Sequence, residues 1–110
     1  MLATELLLSK GYIIRETNWR CGKAEIDIVA EKDMRLVVVE VKTRTSDYVD
    51  PTEAIDRKKI YNISQTANHF VKMFRVTERL QYDAIIIHVE KFTNRYKIEH
   101  IERAFNPMYL

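Results

Sequence analysis

Residues 24–43 read Ala24-Glu25-Ile26-Asp27-Ile28-Val29-Ala30-Glu31-Lys32-Asp33-Met34-Arg35-Leu36-Val37-Val38-Val39-Glu40-Val41-Lys42-Thr43. Residues 24–30 alternate acidic and apolar positions with the period of two that a strand requires. Residues 36–43 read as a second strong strand, and its run Leu36-Val37-Val38-Val39-Glu40-Val41 is apolar on both faces, which marks a central strand buried on both sides. If the connection at 31–35 is a hairpin turning between Asp33 and Met34, Asp27 faces Glu40 and Glu25 faces Lys42. Directly opposed residues point to the same side of a sheet, so Glu25, Asp27, Glu40 and Lys42 are expected on one face. Ile26 and Ile28 are expected on the other face with Val39 and Val41.

Three carboxylates and a lysine converging on a Val-rich hairpin are costly to desolvate without compensation. A hard divalent cation compensates them well, because Mg²⁺ takes carboxylate and carbonyl oxygens and water and keeps positions open for phosphate oxygens. Phosphodiester hydrolysis needs such a metal beside a cation that holds the attacking water or offsets transition-state charge, and Lys42 stands where that cation is required. The competing reading is a plain Glu25 to Lys42 cross-strand ion pair, with Asp27 and Glu40 at the solvent edge. Leu36 and Val38, on the same face as Glu40, argue against full exposure.

Outward from the hairpin, Leu2, Ala3, Leu6 and Leu7 recur at helical spacing, and Gly11 is a natural stop. Residues 12–15 read as a strand and 16–23 as a polar stretch. Residues 47–51 carry turn chemistry, and Thr52 is available to cap a helix in which Ile60, Ile63, Ala67, Phe70 and Phe74 fall at steps of three or four. Residues 82–89 form a third apolar strand, 92–95 a turn and 96–101 an alternating strand before a tail containing Pro107. The expected order is helix, three strands, helix, two strands.

At 110 residues, with 46% hydrophobic and 31% charged residues and only two glycines and two prolines, the chain is expected to be one folded α/β domain over residues 1–110. The single cysteine, Cys21, excludes a disulfide framework or zinc ribbon and suits a reducing cytoplasm. Residues 1–8 have no basic leader and are interrupted by Glu5, so no secretory signal is expected, and no run reaches membrane-spanning length. Eighteen Lys and Arg against sixteen Asp and Glu leave +2, so nucleic-acid binding must rest on where the basic residues sit.

Asp27 followed by Glu40-Val41-Lys42 resembles the bipartite signature of the PD-(D/E)xK nuclease superfamily, whose fold is restriction-endonuclease-like. The chain is similar in more detail to the bacterial YraN family, itself similar to archaeal Holliday-junction resolvases. The residues that carry this likeness are Gly11-Tyr12, Asn18-Trp19-Arg20, Gly22, Glu25-Ile26-Asp27, Val39 to Lys42 with Arg44, Glu53-Ala54-Ile55 with Lys59, Tyr82-Asp83, His100-Ile101 and Ala104-Phe105. The resemblance implies a central mixed sheet flanked by helices, with the site on an antiparallel hairpin. It also implies Asp27 and Glu40 as ligands of Mg²⁺ or Mn²⁺, Lys42 as the catalytic lysine and Glu25 in a supporting role. A Gly-x-x-Gly-Glu box usual in such families would fall at or before Met1, so the chain is expected to be short at its N-terminus relative to them.

Arg44, Arg57, Lys58 and Lys59 follow the motif strand or open the next helix, where basic residues oppose the macrodipole, and they are candidates for phosphate contacts. Arg20 and Lys23 are weaker ones. His88 lies in an apolar strand and is expected to be a hydrogen-bonded core histidine. The expected activity is metal-dependent hydrolysis of phosphodiester bonds in DNA. The expected partner is therefore nucleic acid, DNA above all, with no membrane and with a homodimer left open. The alternatives are a binding module that keeps the nuclease fold and cuts nothing, and a partner-binding domain that uses the charged face for ion pairs.

Overall fold

The computed structural model describes residues 1–45 and 57–106. The turn expected at 47–51, Thr52 and the segment Glu53-Ala54-Ile55 lie outside these residues. Helix α1 (Leu2–Ser9) buries Ala3 and Leu7. It ends where Gly11, at φ +88°, reverses the chain so that the Tyr12 amide returns to the Leu7 carbonyl at 3.0 Å. The strands are β1 (Ile13–Cys21), β2 (Ala24–Lys32), β3 (Arg35–Arg44), β4 (Arg79–Val89) and β5 (Tyr96–Ile101), with helix α2 (Arg57–Phe74) between β3 and β4. They form one five-stranded sheet in the order β1-β2-β3-β4-β5. Strands β3 and β4 run parallel and the other neighbours antiparallel, so the sheet is mixed as expected.

Strand β1 continues through residues 16–21 of the stretch that reads as polar connection, which leaves only 22–23 as the turn into β2. It is an edge strand with residues open to water, so it needs no apolar alternation to hold its place. Its anchor is Trp19, edge-on to Phe70 at 5.2 Å and to Phe74 at 6.4 Å, which clamps α2 to this end of the sheet. Strand β4 also starts three residues before the apolar run, because Arg79, Leu80 and Gln81 pair with Arg35, Leu36 and Val37.

The sheet separates two apolar clusters. Under α1 lie Ile28, Ala30, Val37, Val39 and Ile85. Under α2 lie Val29, Leu36 and Val38 with Ile63, Ala67 and Phe70. The β2 to β3 connection is a two-residue turn, with Asp33 at φ +50° and Met34 at φ +62°, the geometry of a primed hairpin turn. The register from Ile28 opposite Val39 to Lys32 opposite Arg35 is the one the sequence predicts.

Candidate functional site

Beyond Ile28 and Val39 the β2 to β3 ladder stops, and the site begins there. Instead of a backbone pair at the next position, the Val41 amide donates to Asp27 Oδ2 at 2.8 Å. Asn18, in the neighbouring β1, adopts φ +51°, a kink in the strand pair at the same level. This irregularity corrects two expectations. Ile26 belongs to the cluster under α2 with Trp19 and not with Ile28, because the strand turns over at Asp27. Glu25 pairs across to Arg20 in β1, with 3.3 Å between Arg20 Nε and Glu25 Oε2, and the expected Glu25 to Lys42 pairing is not formed.

Glu40, in the middle of β3, is buried at 8% exposure and so does not sit at a solvent edge. Its Oε1 receives two ammonium groups, Lys42 Nζ at 3.5 Å and Lys59 Nζ at 2.5 Å. Glu25, Asp27, Glu40, Lys59, Asn62 and Thr66 line one open cavity of about 470 Å³. Burial pushes the Asp27 carboxyl above its ordinary value, and Glu40 and Glu25 push it further. The Val41 amide and Lys59 pull the other way without reversing the shift.

The expected candidates therefore divide. Asp27, Glu40, Lys42 and Lys59 come together, with Glu25 on the cavity wall and held by Arg20. Arg57 and Lys58 are exposed at the start of α2. Arg44 lies two residues beyond Lys42, and among the described residues its buried Nε has no hydrogen-bond partner. His88 is not a core histidine: its side chain is 27% exposed and its Nε2 stands 3.8 Å from Glu99 Oε2. Asn62 and Thr66 were not singled out by the sequence, although Lys59, Asn62, Ile63 and Thr66 fall at i, i+3, i+4 and i+7 on one helix face, which is the signal that would have found them.

The donor set offered to a metal is oxygen only, which suits a hard cation. Asp27 Oδ2 is engaged by Val41 while among the described residues Oδ1 has no hydrogen-bond donor, and the mutual repulsion of Asp27, Glu40 and Glu25 is what a cation would relieve. Among the described residues no three His, Cys, Asp or Glu side chains form a ready-made cage. The fit is thus to a metal that takes one or two carboxylates and keeps its waters, as Mg²⁺ does.

An α/β protein with a five-stranded mixed sheet and a carboxylate and lysine cluster at the opening of its central hairpin is the class that fold and site define. The chain belongs to the UPF0102 family: residues 1–87 match the family described as Uncharacterised protein family UPF0102. A UPF0102 protein of Phocaeicola vulgatus is 42% identical over 106 residues, covering 96% of this chain and 86% of that protein. One of Porphyromonas gingivalis is 40% identical over 110 residues, covering 99% and 81%. One of Flavobacterium psychrophilum is 42% identical over 105 residues, covering 94% and 87%. Among the described residues no helix is long and apolar enough to cross a membrane.

Proposed function

We propose that the protein is a metal-dependent phosphodiesterase acting on nucleic acid, DNA above all, built on a restriction-endonuclease-like variant of this sheet. The observation that carries the reading is the meeting of Asp27 and Glu40 with two lysines at the open end of a buried hairpin. Neither a surface ion pair nor a packed core needs this arrangement: Glu40 is buried, and burial and two like charges push the Asp27 carboxyl above its ordinary value.

Asp27 and Glu40 would hold Mg²⁺ or Mn²⁺, which supplies Lewis acidity and positive charge at the scissile phosphate. The Val41 amide fixes the Asp27 carboxylate so that its second oxygen is oriented for that task. Lys42, beside Glu40 at 3.5 Å, would orient the attacking water and offset the charge that develops on the phosphate oxygens in the transition state. Lys59 reaches the same carboxylate from α2 and holds the substrate phosphate once Glu40 has another partner. Glu25, restrained by Arg20, keeps the cavity wall acidic.

The test is cleavage of branched, single-stranded and duplex DNA in Mg²⁺ or Mn²⁺ by the native chain and by Asp27→Asn, Glu40→Gln, Lys42→Ala and Lys59→Ala. Loss of turnover at nearly constant DNA affinity in the first three, with weakened salt-dependent binding in Lys59→Ala, is the expected pattern. DNA binding with every substrate left intact by the native chain in both metals would replace this reading with that of a binding module.

A further inference from the structure

Strand β3 does not end at the candidate site. Two residues past Lys42 it reaches Arg44, which pairs in register with His88 of β4, and His88 pairs in turn with Lys97 of β5. Paired residues share a face, and Glu40, Lys42 and Arg44 alternate onto the same face, so Arg44, His88 and Lys97 form a row across three strands on the side of the sheet that carries the site. Adjacent strands stand about 4.8 Å apart, so the row runs roughly 10 Å from β3 to the free edge at β5.

The row leads onto the β4 to β5 hairpin, where Arg95 lies opposite Glu90 through the bond from the Glu90 amide to the Arg95 carbonyl at 2.8 Å. His88, Glu90, Arg95, Lys97 and Glu99 line a broad open groove there of about 780 Å³, within the size range of small-molecule sites and ample for a nucleotide. Glu90 accepts from the Thr93 hydroxyl, and Glu99 Oε2 lies 3.8 Å from His88 Nε2. Arg44, Lys91, Arg95 and Lys97 outnumber these two carboxylates, so the charge around the groove is net positive.

Two details point to a polyanion with stackable bases. Arg44 Nε is buried with no acceptor among the described residues, a donor already stripped of water. The hairpin loop is tied by the Glu90 and Thr93 bonds, yet it holds Phe92 at 90% exposure with Lys91 Nζ 5.7 Å from the ring centre. A solvent-facing ring beside a cation, on a loop tied by hydrogen bonds, is a platform on which nucleic-acid bases stack.

We infer that the row Arg44, His88 and Lys97, continued by Arg95, Lys91 and Phe92, is a track for a single strand of nucleic acid passing the Asp27 and Glu40 site. The inference rests on the phosphodiesterase reading and gives that site its substrate feature, a single-stranded flank. Phosphates follow the basic row, and a base leaving the sheet edge stacks on Phe92.

The experiment measures anisotropy of a labelled oligothymidine in EDTA, where nothing is cut, across a salt series, with a blunt duplex of equal length as comparison. Phe92→Ala should weaken oligothymidine binding about tenfold with the salt slope unchanged. The double variant Arg95→Gln, Lys97→Gln should lower that slope by about 1.4, two single-strand phosphate contacts at about 0.7 each. Blunt-duplex binding should not respond to Phe92→Ala. Native affinity and slope in both variants, or equal losses on both DNAs, would overturn the track. Binding that responds as expected while no metal yields cleavage retains the track and sinks the activity. Cleavage with unresponsive hairpin variants does the reverse.

Discussion

Replacing Lys59 by alanine removes the nearer of the two ammonium groups on Glu40 and tests what that lysine does when no metal is present. Breaking a buried ion pair costs about 3–5 kcal/mol when the remaining charge is left alone. Glu40 is not left alone, since Lys42 Nζ stays 3.5 Å from the same oxygen, and the Lys59 side chain is 32% exposed and partly screened. The expected cost is therefore about 1–2 kcal/mol. At about 4 °C per kcal/mol for a domain of this size, Tm in EDTA should fall by about 4–8 °C. Metal changes the sign of the comparison. A cation that binds only the folded chain adds stability as its concentration passes its Kd, and Lys59→Ala vacates a Glu40 oxygen that the metal needs. Thermal melts with and without Mn²⁺ should thus show a larger metal-induced rise in Lys59→Ala than in the native chain. An equal rise in both proteins, or no drop in EDTA, would refute the idea that Lys59 stands in for a metal at Glu40.

Asp27→Asn keeps an oxygen for the Val41 amide and removes the charge that burial, Glu40 and Glu25 oppose. It should stabilise the metal-free protein by roughly 1 kcal/mol at neutral pH. Because the folded carboxyl is raised, the native chain loses stability as pH climbs through that raised value, so urea midpoints should show the gain at neutral pH and none in acid. Tyr12 is pushed from 10.0 to about 12 by burial, with Asp83 and Glu102 adding to it. Its contribution is full below pH 10.0 and disappears toward pH 12, so Tyr12→Phe should flatten the alkaline decline in urea midpoint, and an unchanged decline would show that another group causes it. Asp83 is wholly buried and accepts from His100 Nε2 at 2.8 Å, Gln81 Nε2 at 2.9 Å and the Arg103 amide at 3.0 Å. Asp83→Ala should cost about 3–5 kcal/mol in urea unfolding, and a loss under 1 kcal/mol would mean that water or rearrangement satisfies all three donors.

The hairpin was legible because a fully buried strand beside an alternating one leaves little freedom of register, and a two-residue turn between Asp33 and Met34 fixed what remained. The misplacement of Ile26 and of Glu25 has one physical origin, the local break at Asp27. Alternation assigns Ile26 to the face of Ile28 and pairs Glu25 with Lys42 only if the ladder continues. A side-chain acceptor that replaces a backbone pair leaves no trace in hydrophobic periodicity. Beyond residue 15 strand β1 leaves little trace in the sequence, because an edge strand buries little on either side and Trp19 is its main apolar mark there. The Asp83 and His100 contact was out of reach for another reason: it joins β4 to the end of β5 through a buried polar pair, and no local pattern announces a partner 17 residues away.

The two polar clusters sit on opposite faces of the same pair of central strands and do different work. Val39 pairs with Asp83 and Glu40 with Ala84, so adjacent positions of β3 look toward a satisfied polar knot under α1 and toward the open cavity under α2. On the α1 side every oxygen of Asp83 has its donors, and Lys10 Nζ, which can only donate, fixes the imidazole by occupying His100 Nδ1 at 2.9 Å. This knot ties the end of β5 to β4 and so keeps Lys97 in register with His88 and Arg44. On the α2 side the ladder is left open and Asp27 bridges the gap with a single bond, while the Trp19 and Phe70 contact keeps α2, and with it Lys59, against the opening. Rigid pairing on one face lets the other hold carboxylates in an arrangement that would otherwise relax, since strands free to slide by one residue would turn Glu40 and Lys42 into the α1 core.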